Sequence, residues 1–267
     1  MVNDIREHFG RSEKKACALV SISRSCYRYR PRPPTDRDLR RRLRELAEQK
    51  KRYGARRLHV LAKREGLVIN HKRTERIYKE EKLALRTKSR KKLPSGIRLA
   101  LPQPRTVNEQ WAIDFIHDST STSRRFRCLT VLDLCSRECL AMRVDTSISG
   151  KGVIDALQRL FETRGIPRTL VLDNGPEFTS KVFQTWADDN EIHLAYIRPG
   201  KPMDNAFVES FQGRFRDECL NQHWFKTIPE AREIIEQWRQ EYNGERPHSS
   251  LNDLTPIEFV ERMTAAG

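Results

Sequence analysis

At 267 residues and 31.4 kDa, the chain exceeds one minimal domain and can bury a catalytic core beside one or two small modules. A formal charge of +15 and a pI near 9.8 predict an acidic polymer as partner, nucleic acid being the commonest case. Six cysteines without a CxxC pair argue against a zinc module, and no stretch resembles a signal peptide or a membrane span. The cysteines are therefore expected to be reduced and the chain cytoplasmic, beside the bacterial nucleoid.

The charge is unevenly placed. Residues 1–105 hold 32 Lys and Arg against 11 Asp and Glu, and the remainder holds 19 against 25. A basic amino-terminal part suits phosphate contacts, and an acidic remainder suits metal-binding carboxylates. Solvated basic helices are the plain alternative for the first part.

In chain order, SEKKACALVSISRSCYRYR (12–30) sets Ala16, Leu19, Val20 and Ile22 at helical and turn spacing, with Ser23 placed to cap a second short helix. This fits a helix-turn-helix-like segment over 1–35, and equally a small helical pair that touches no DNA. PRPPTD (31–36) reads as a linker, because three prolines remove backbone donors. A basic three-helix module is expected over 36–86. Its first helix carries the stripe Leu39, Leu43, Leu46; its second runs from Tyr53 to Glu65 and stops at Gly66; Asn70 caps the third. That third helix, NHKRTERIYKEEKL, turns Ile77 and Leu83 inward and leaves Lys72, Arg73 and Arg76 outward, to enter a major groove or to touch only the phosphate backbone. Residues 87–106 read as an extended basic linker.

From Glu109 the pattern changes to strands. WAIDFIH, RFRCLTVLDLCSR and ECLAMRVDTS are β-branched and apolar runs with short polar breaks, as three consecutive antiparallel strands require. Helical spacing returns at Val153, Leu157, Leu160 and Phe161. A strand RTLVLD, a helix over Val182 to Ala187, a strand IHLAYI and a further helix follow. The order is mixed α/β, and its three-strand start excludes a simple doubly wound sheet.

Three carboxylates stand out in this part, 107–267. Alternation puts Asp114 on one face with Ala112 and Ile116, where a charge is costly unless a cation meets it. Asp173 closes the fourth strand before the turn Asn174-Gly175, at the sheet end where ligands sit. Glu209 lies on a helix that follows a Pro199-Gly200 loop and that Asp204 or Asn205 can cap, with Phe211 and Phe215 facing the core. At about 100° per residue, Arg216 falls on the Glu209 stripe. Carboxylate oxygens suit two Mg²⁺ ions, which activate an attacking oxygen and stabilise a leaving one in phosphoryl transfer. Each carboxylate alone has an ordinary structural reading, Asp173 as a turn residue above all.

With 35 residues between Asp173 and Glu209, the segment 109–260 resembles the D,D(35)E catalytic core of retroviral integrases and bacterial transposases. WAID with Asp114, VLDLCSR with Asp133 and Arg137, DNGPEF with Asp173, and the run from Pro199-Gly200 through Asp204-Asn205 to Glu209-Ser210-Phe211 carry the likeness. The carboxyl-terminal YNGERPHSSLNDLTPIEF, with Tyr242, Asn243, Arg246, Pro247, His248 and Pro256, extends it. Upstream, RYGARRLH, with Arg56 and Arg57, and NHKRTERIYKEEKL resemble a basic helical module. Nearly the whole chain is thus similar to the second open-reading-frame product (OrfB) of the insertion-sequence-three family.

The resemblance implies a ribonuclease-H-like integrase core, a mixed five-stranded sheet with flanking helices, preceded by small all-α helix-turn-helix-like modules. It implies a DDE transposase that cuts one strand at each element end with water and then joins the freed 3′-hydroxyl to target. Asp114, Asp173 and Glu209 would ligate two Mg²⁺ ions, with Mn²⁺ substituting. Arg216 would touch terminal element DNA, or be a surface charge; Asn174 would steady the turn; Arg56, Arg57, Lys72, Arg73 and Arg76 would add contacts to double-stranded DNA. Arg246 and His248 are read as packing residues. A homo-oligomer on element ends and target is implied; recognition of the ends would fall either to an upstream OrfA product as partner or to this chain's own residues 1–86. Two other readings stand beside this one: a catalytically inactive DNA-binding regulator derived from a transposase, and a nuclease acting on RNA–DNA hybrids.

Overall fold

The computed structural model describes residues 1–29, 36–85, 104–197 and 206–266. Most of both expected linkers, and the loop with Asp204 and Asn205, lie outside the described residues. The chain forms two compact units, Met1–Arg42 and Leu43–Gly267.

The first unit holds α1 (Val2–Phe9), α2 (Glu13–Leu19) and α3 (Arg24–Arg28). Ser23 caps α3, its Oγ accepting from the Cys26 N–H at 3.1 Å. Val2, Ala16 and Cys17 are buried together against Ile5, Val20 and Tyr27. Leu19 and Ile22 are exposed, since the two-turn α2 buries only Ala16 and Cys17, with Val20 just beyond it partly buried. Helix α4 (Arg37–Gln49) runs across the boundary, and its Leu39, Leu43 and Leu46 are all buried.

In the second unit, Leu58 and Ala62 of α5 (Ala55–Arg64) and Thr74, Ile77 and Tyr78 of α6 (His71–Glu80) are buried. Gly66, at φ 74°, lies in the left-handed region that glycine tolerates, just past the end of α5. Asn70 caps α6, accepting from the Lys72 N–H at 3.0 Å. Helix α6 ends earlier than expected. Lys82 adopts φ 56°, and the Leu83 N–H turns back to the Tyr78 carbonyl at 3.1 Å, so Leu83 lies beyond the helix, and Tyr78 takes the inward place beside Ile77. Lys50, held between Glu241 and Glu245 at 2.6 and 3.0 Å, ties this module to the larger part of the unit.

That part follows the predicted order: β1 (Gln110–Ser119), β2 (Arg125–Asp133), β3 (Cys139–Asp145), α7 (Gly150–Arg164), β4 (Thr169–Leu172), α8 (Pro176–Thr179), α9 (Lys181–Asp189), β5 (His193–Tyr196), α10 (Ala206–Glu218), α11 (Ile228–Gly244) and α12 (Pro256–Ala266). The single turn α8 within NGPEF was unforeseen, and α11 and α12 extend the order past the helix expected after β5. The sheet order is β3-β2-β1-β4-β5, antiparallel across the first three and parallel across β1, β4 and β5.

Alternation along β1 sorts its side chains between two cores. Trp111 and Ile113 pack with Val153 and Leu157 of α7 and with Phe178 and Phe183. Ala112 and Ile116 pack with Val208, Phe211 and Phe215 of α10 and with Ile235 and Trp238 of α11. Asp114 shares that second face. Burying Phe211 and Phe215 contributes roughly 1.5–3 kcal/mol each. It turns the Phe211–Phe215 face of α10 toward the β1 side chains Ala112 and Ile116. Among the described residues, no helix is long and apolar enough to cross a membrane, and the six cysteines are free thiols.

Candidate active site

Asp114 sits half-buried in mid-strand, opposite Thr130 of β2, and its Oδ1 accepts from the Phe115 N–H at 2.7 Å. Burial first, and then the charges of Asp173 and Glu209, push its carboxyl up to about 6, against hydrogen bonds from Phe115 and Gln212 that favour the carboxylate. Both other predicted carboxylates therefore bear on Asp114. The three come from β1, the end of β4 and the first turn of α10.

Asp173 is exposed one residue beyond β4, where its Oδ1 accepts from the Gly175 N–H at 3.0 Å. A Cβ at Gly175 would lie 3.0 Å from that same Oδ1 and 3.2 Å from Glu177 Oε2, so a larger residue would make these side chains give by a few tenths of an ångström. Asn174 Nδ2 donates to the Ile197 carbonyl at 2.9 Å, tying the turn after β4 to the end of β5. Glu209 is exposed on α10. Further along the same stripe, Gln212 Nε2 donates to the Phe115 carbonyl at 3.5 Å and Arg216 Nη2 to the His117 carbonyl at 3.4 Å. Helix α10 is thus latched to β1 on either side of Ile116.

Sequence reasoning missed Gln212, although its position three residues after Glu209 was the signal available. It also missed Glu177 of α8, which pairs with Arg127 of β2; that guanidinium lies 3.9 Å from the centroid of the Phe115 ring. Burial opposes ionisation of Glu177, yet the Arg127 hydrogen bond and charge hold its carboxyl below the usual range.

Asp133 and Arg137 are structural. The buried Asp133 carboxylate accepts from the Asn108, Cys135 and Ser136 N–H groups at 2.7–2.9 Å and so builds the β2–β3 turn. Arg137 lies flat against Phe207, 3.4 Å from its ring centroid.

The remaining predicted residues lie away from the carboxylates. Lys72 and Arg76 are exposed on α6, with Arg76 bonded to Glu80 at 2.9 Å, whereas Arg73 is half-buried. Arg56 reaches Asp253 at 3.2 Å, and Arg57 turns inward to Glu218 at 3.4 Å.

All three carboxylates offer hard oxygen donors, and Asp114 carries a charge that its neighbours make costly, so the set fits a divalent cation of the Mg²⁺ kind by chemistry. Among the described residues no group of three His, Cys, Asp or Glu side chains is placed to hold a metal ion, so the three carboxylates do not form a ready-made cluster.

Models of the integrase core domain match residues 104–202 and 190–256, and a model of an HTH-like domain matches 34–92. The chain is 47% identical, over 98% of its length and 95% of the relative's, to the insertion element IS407 uncharacterized 31.7 kDa protein of Burkholderia multivorans. This chain belongs to the insertion-element transposases with an integrase core.

Other members of the family are similar along most of the chain. The insertion element IS476 uncharacterized 39.2 kDa protein of Xanthomonas euvesicatoria is 43% identical over 95% of this chain and 74% of its own. The transposase InsF for insertion sequence IS3A of Escherichia coli is 26% identical over 95% and 96%. A chain of the simian T-cell lymphotropic virus intasome superposes with a TM-score of 0.54 at 16% identity, covering 82% of this transposase and 74% of that chain. The likeness establishes the ribonuclease-H-like integrase fold. The HTH-like and core matches mark DNA as the partner of this insertion-element transposase, and the integrase-core family is one that uses divalent metals.

Proposed function

We propose that the chain is a DDE transposase that cleaves DNA at the ends of its insertion element and joins the resulting 3′-hydroxyl to a target phosphodiester. What supports this reading is that the charges of Asp173, at the end of β4, and Glu209, on α10, both act on the half-buried Asp114 of β1. Asp114, Asp173 and Glu209 would hold two Mg²⁺ ions, for which Mn²⁺ substitutes. The chemistry two such ions would supply is activation of the attacking oxygen and stabilisation of the leaving one.

The chain's own residues supply position. Gln212 and Arg216 bond α10 to the Phe115 and His117 carbonyls of β1, the strand that carries Asp114. Gly175 and Asn174 fix the turn that presents Asp173. In each step an oxygen, from water and then from a 3′-hydroxyl, bonds to phosphorus as the opposite P–O3′ bond breaks. No covalent enzyme intermediate is required.

Lys72, Arg73 and Arg76 of α6, with Arg56, serve the DNA backbone, and Arg216 the terminal element DNA. Arg57, already turned to Glu218, contributes least. We keep the division into a helix-turn-helix-like segment (1–35), a DNA-binding module (36–86), a linker (87–106) and a catalytic core (107–267), acting as an oligomer that joins two ends, with an OrfA product as a further partner. Asp173→Asn tests the reading: strand joining is abolished while DNA affinity stays equal or rises, because a negative charge is removed. Joining retained at the wild-type rate removes Asp173 from the site.

A further inference from the structure

Helix α10 has a second polar face. About 100° around the axis from Glu209, Ser210 begins a stripe that continues to Arg214 one turn on. These two line a cleft of about 210 Å³ whose far wall is the turn Arg246–Ser250, the part of YNGERPHSSLND that the catalytic reading leaves unused.

Four arginines are among its lining residues: Arg57, Arg137, Arg214 and Arg246. Glu218 takes Arg246 through two hydrogen bonds of 2.8 Å and Arg57 through one of 3.4 Å, one carboxylate for two cations, while Arg214 donates to Ser210 Oγ at 3.4 Å across the cleft's α10 side. Burial, and then Arg246 and Arg214, hold Arg57 below the usual arginine range despite Glu218. His248, in the wall, is 7% exposed, and its Nε2 is buried without a hydrogen-bond partner among the described residues. Hydroxyls of Ser210, Ser249 and Ser250 complete the lining, and Arg214, Ser249 and Ser250 are exposed at its mouth. Guanidinium forks with hydroxyl donors in a partly desolvated cleft match a phosphate group.

We propose that this cleft is a phosphate subsite that seats one backbone phosphate of the bound DNA and so holds the strand beside the carboxylates on the neighbouring face of α10. The assignment rests on the DNA-joining reading above, since α10 is what links cleft and carboxylates. A phosphate contact positions the strand and reads no sequence.

The test is binding of the full chain to an element-end duplex, by fluorescence anisotropy across a salt series, for wild type, Arg214→Gln and Ser250→Asp. Matching thermal unfolding midpoints establish that the variants fold. Each variant is expected to weaken binding and to flatten the log affinity against log salt slope by about one. Neutral methylphosphonates placed singly along the backbone should reveal one position that costs wild type affinity and costs Arg214→Gln nothing further. Unchanged slopes, with every methylphosphonate equally costly in all three proteins, overturn the proposal. So does inorganic phosphate that raises the unfolding midpoint of wild type alone while DNA binding is identical in all three. Glu209→Gln, run in parallel, separates the two claims: it should abolish joining yet keep the wild-type slope and the same sensitive position.

Discussion

Gly175 shows how closely one atom is held to account at the candidate site. A methyl group there would press on the Asp173 carboxylate at 3.0 Å, so Gly175→Ala should fold normally and lose strand joining by at least tenfold, as read from product formation at equal bound DNA. Joining at the wild-type rate would mean that Asp173 need not stay where the Gly175 N–H holds it. The elements that carry the three proposed carboxylates were legible because each is announced locally: β1 around Asp114 by strand alternation, the turn of Asp173 by a strand end, and α10 with Glu209 by a helix start. Gln212 was not, because a neutral glutamine acquires meaning only when α10 lies over Phe115. The Arg127–Glu177 pair joins residues 50 positions apart, and no local pattern reports such a partner. Arg57 was read as facing DNA from its company of basic residues; its inward turn follows from Glu218, whose side chain is 9% exposed and needs cations.

Among the elements, α10 carries Glu209 and bonds β1 through Gln212 and Arg216, and its far end is pinned by a buried ion pair. Arg246 and Glu218 have side chains 3% and 9% exposed. Removing one partner leaves the other charged and desolvated, so Glu218→Ala should cost about 3–5 kcal/mol in equilibrium unfolding, and a loss under about 1 kcal/mol would show that the pair is solvated. Helix α6 is the opposite case, a surface element whose function lies in its charge. Replacing Lys72, Arg73 and Arg76 together by Ala should weaken DNA binding and reduce the salt slope by about two to three. An unchanged slope would direct DNA to another face. The extent of α6 was overread by a few residues, since the apolar Leu83 continues the helical period while the left-handed Lys82 has already broken it. Helix and strand order were otherwise readable, because binary patterning and β-branched runs dominate this part of the chain.

For the molecule as a whole, the charge asymmetry of the sequence has a structural counterpart: a basic module fastened to an acidic core by Lys50 and Arg64, the latter bonded to Glu258 at 2.7 Å. Contacts of that span were invisible in the sequence, which suggested separate pieces. Global stability should also register a buried histidine. Burial first, and then Arg246, push His248 down to about 3. The folded state thus binds this proton more weakly than the unfolded chain, whose value is near 6.5. Its contribution is therefore whole above about pH 6.5 and is lost as pH falls toward about 3, by on the order of 4–5 kcal/mol at the limit. Denaturant unfolding at about pH 7.5 and about pH 4.5 should show a smaller acid loss for His248→Gln than for wild type; equal losses would assign the acid sensitivity elsewhere.

The central claim is catalysis by the three carboxylates, and the most direct measurement is strand transfer of labelled element-end DNA into a plasmid with Mg²⁺, comparing wild type with Glu209→Gln. The account predicts joined product from wild type, none from the variant, and comparable DNA binding by both. Joining by Glu209→Gln at the wild-type level would contradict it. So would a wild type that binds the ends yet joins nothing with the upstream product added, which is the behaviour of a DNA-binding regulator.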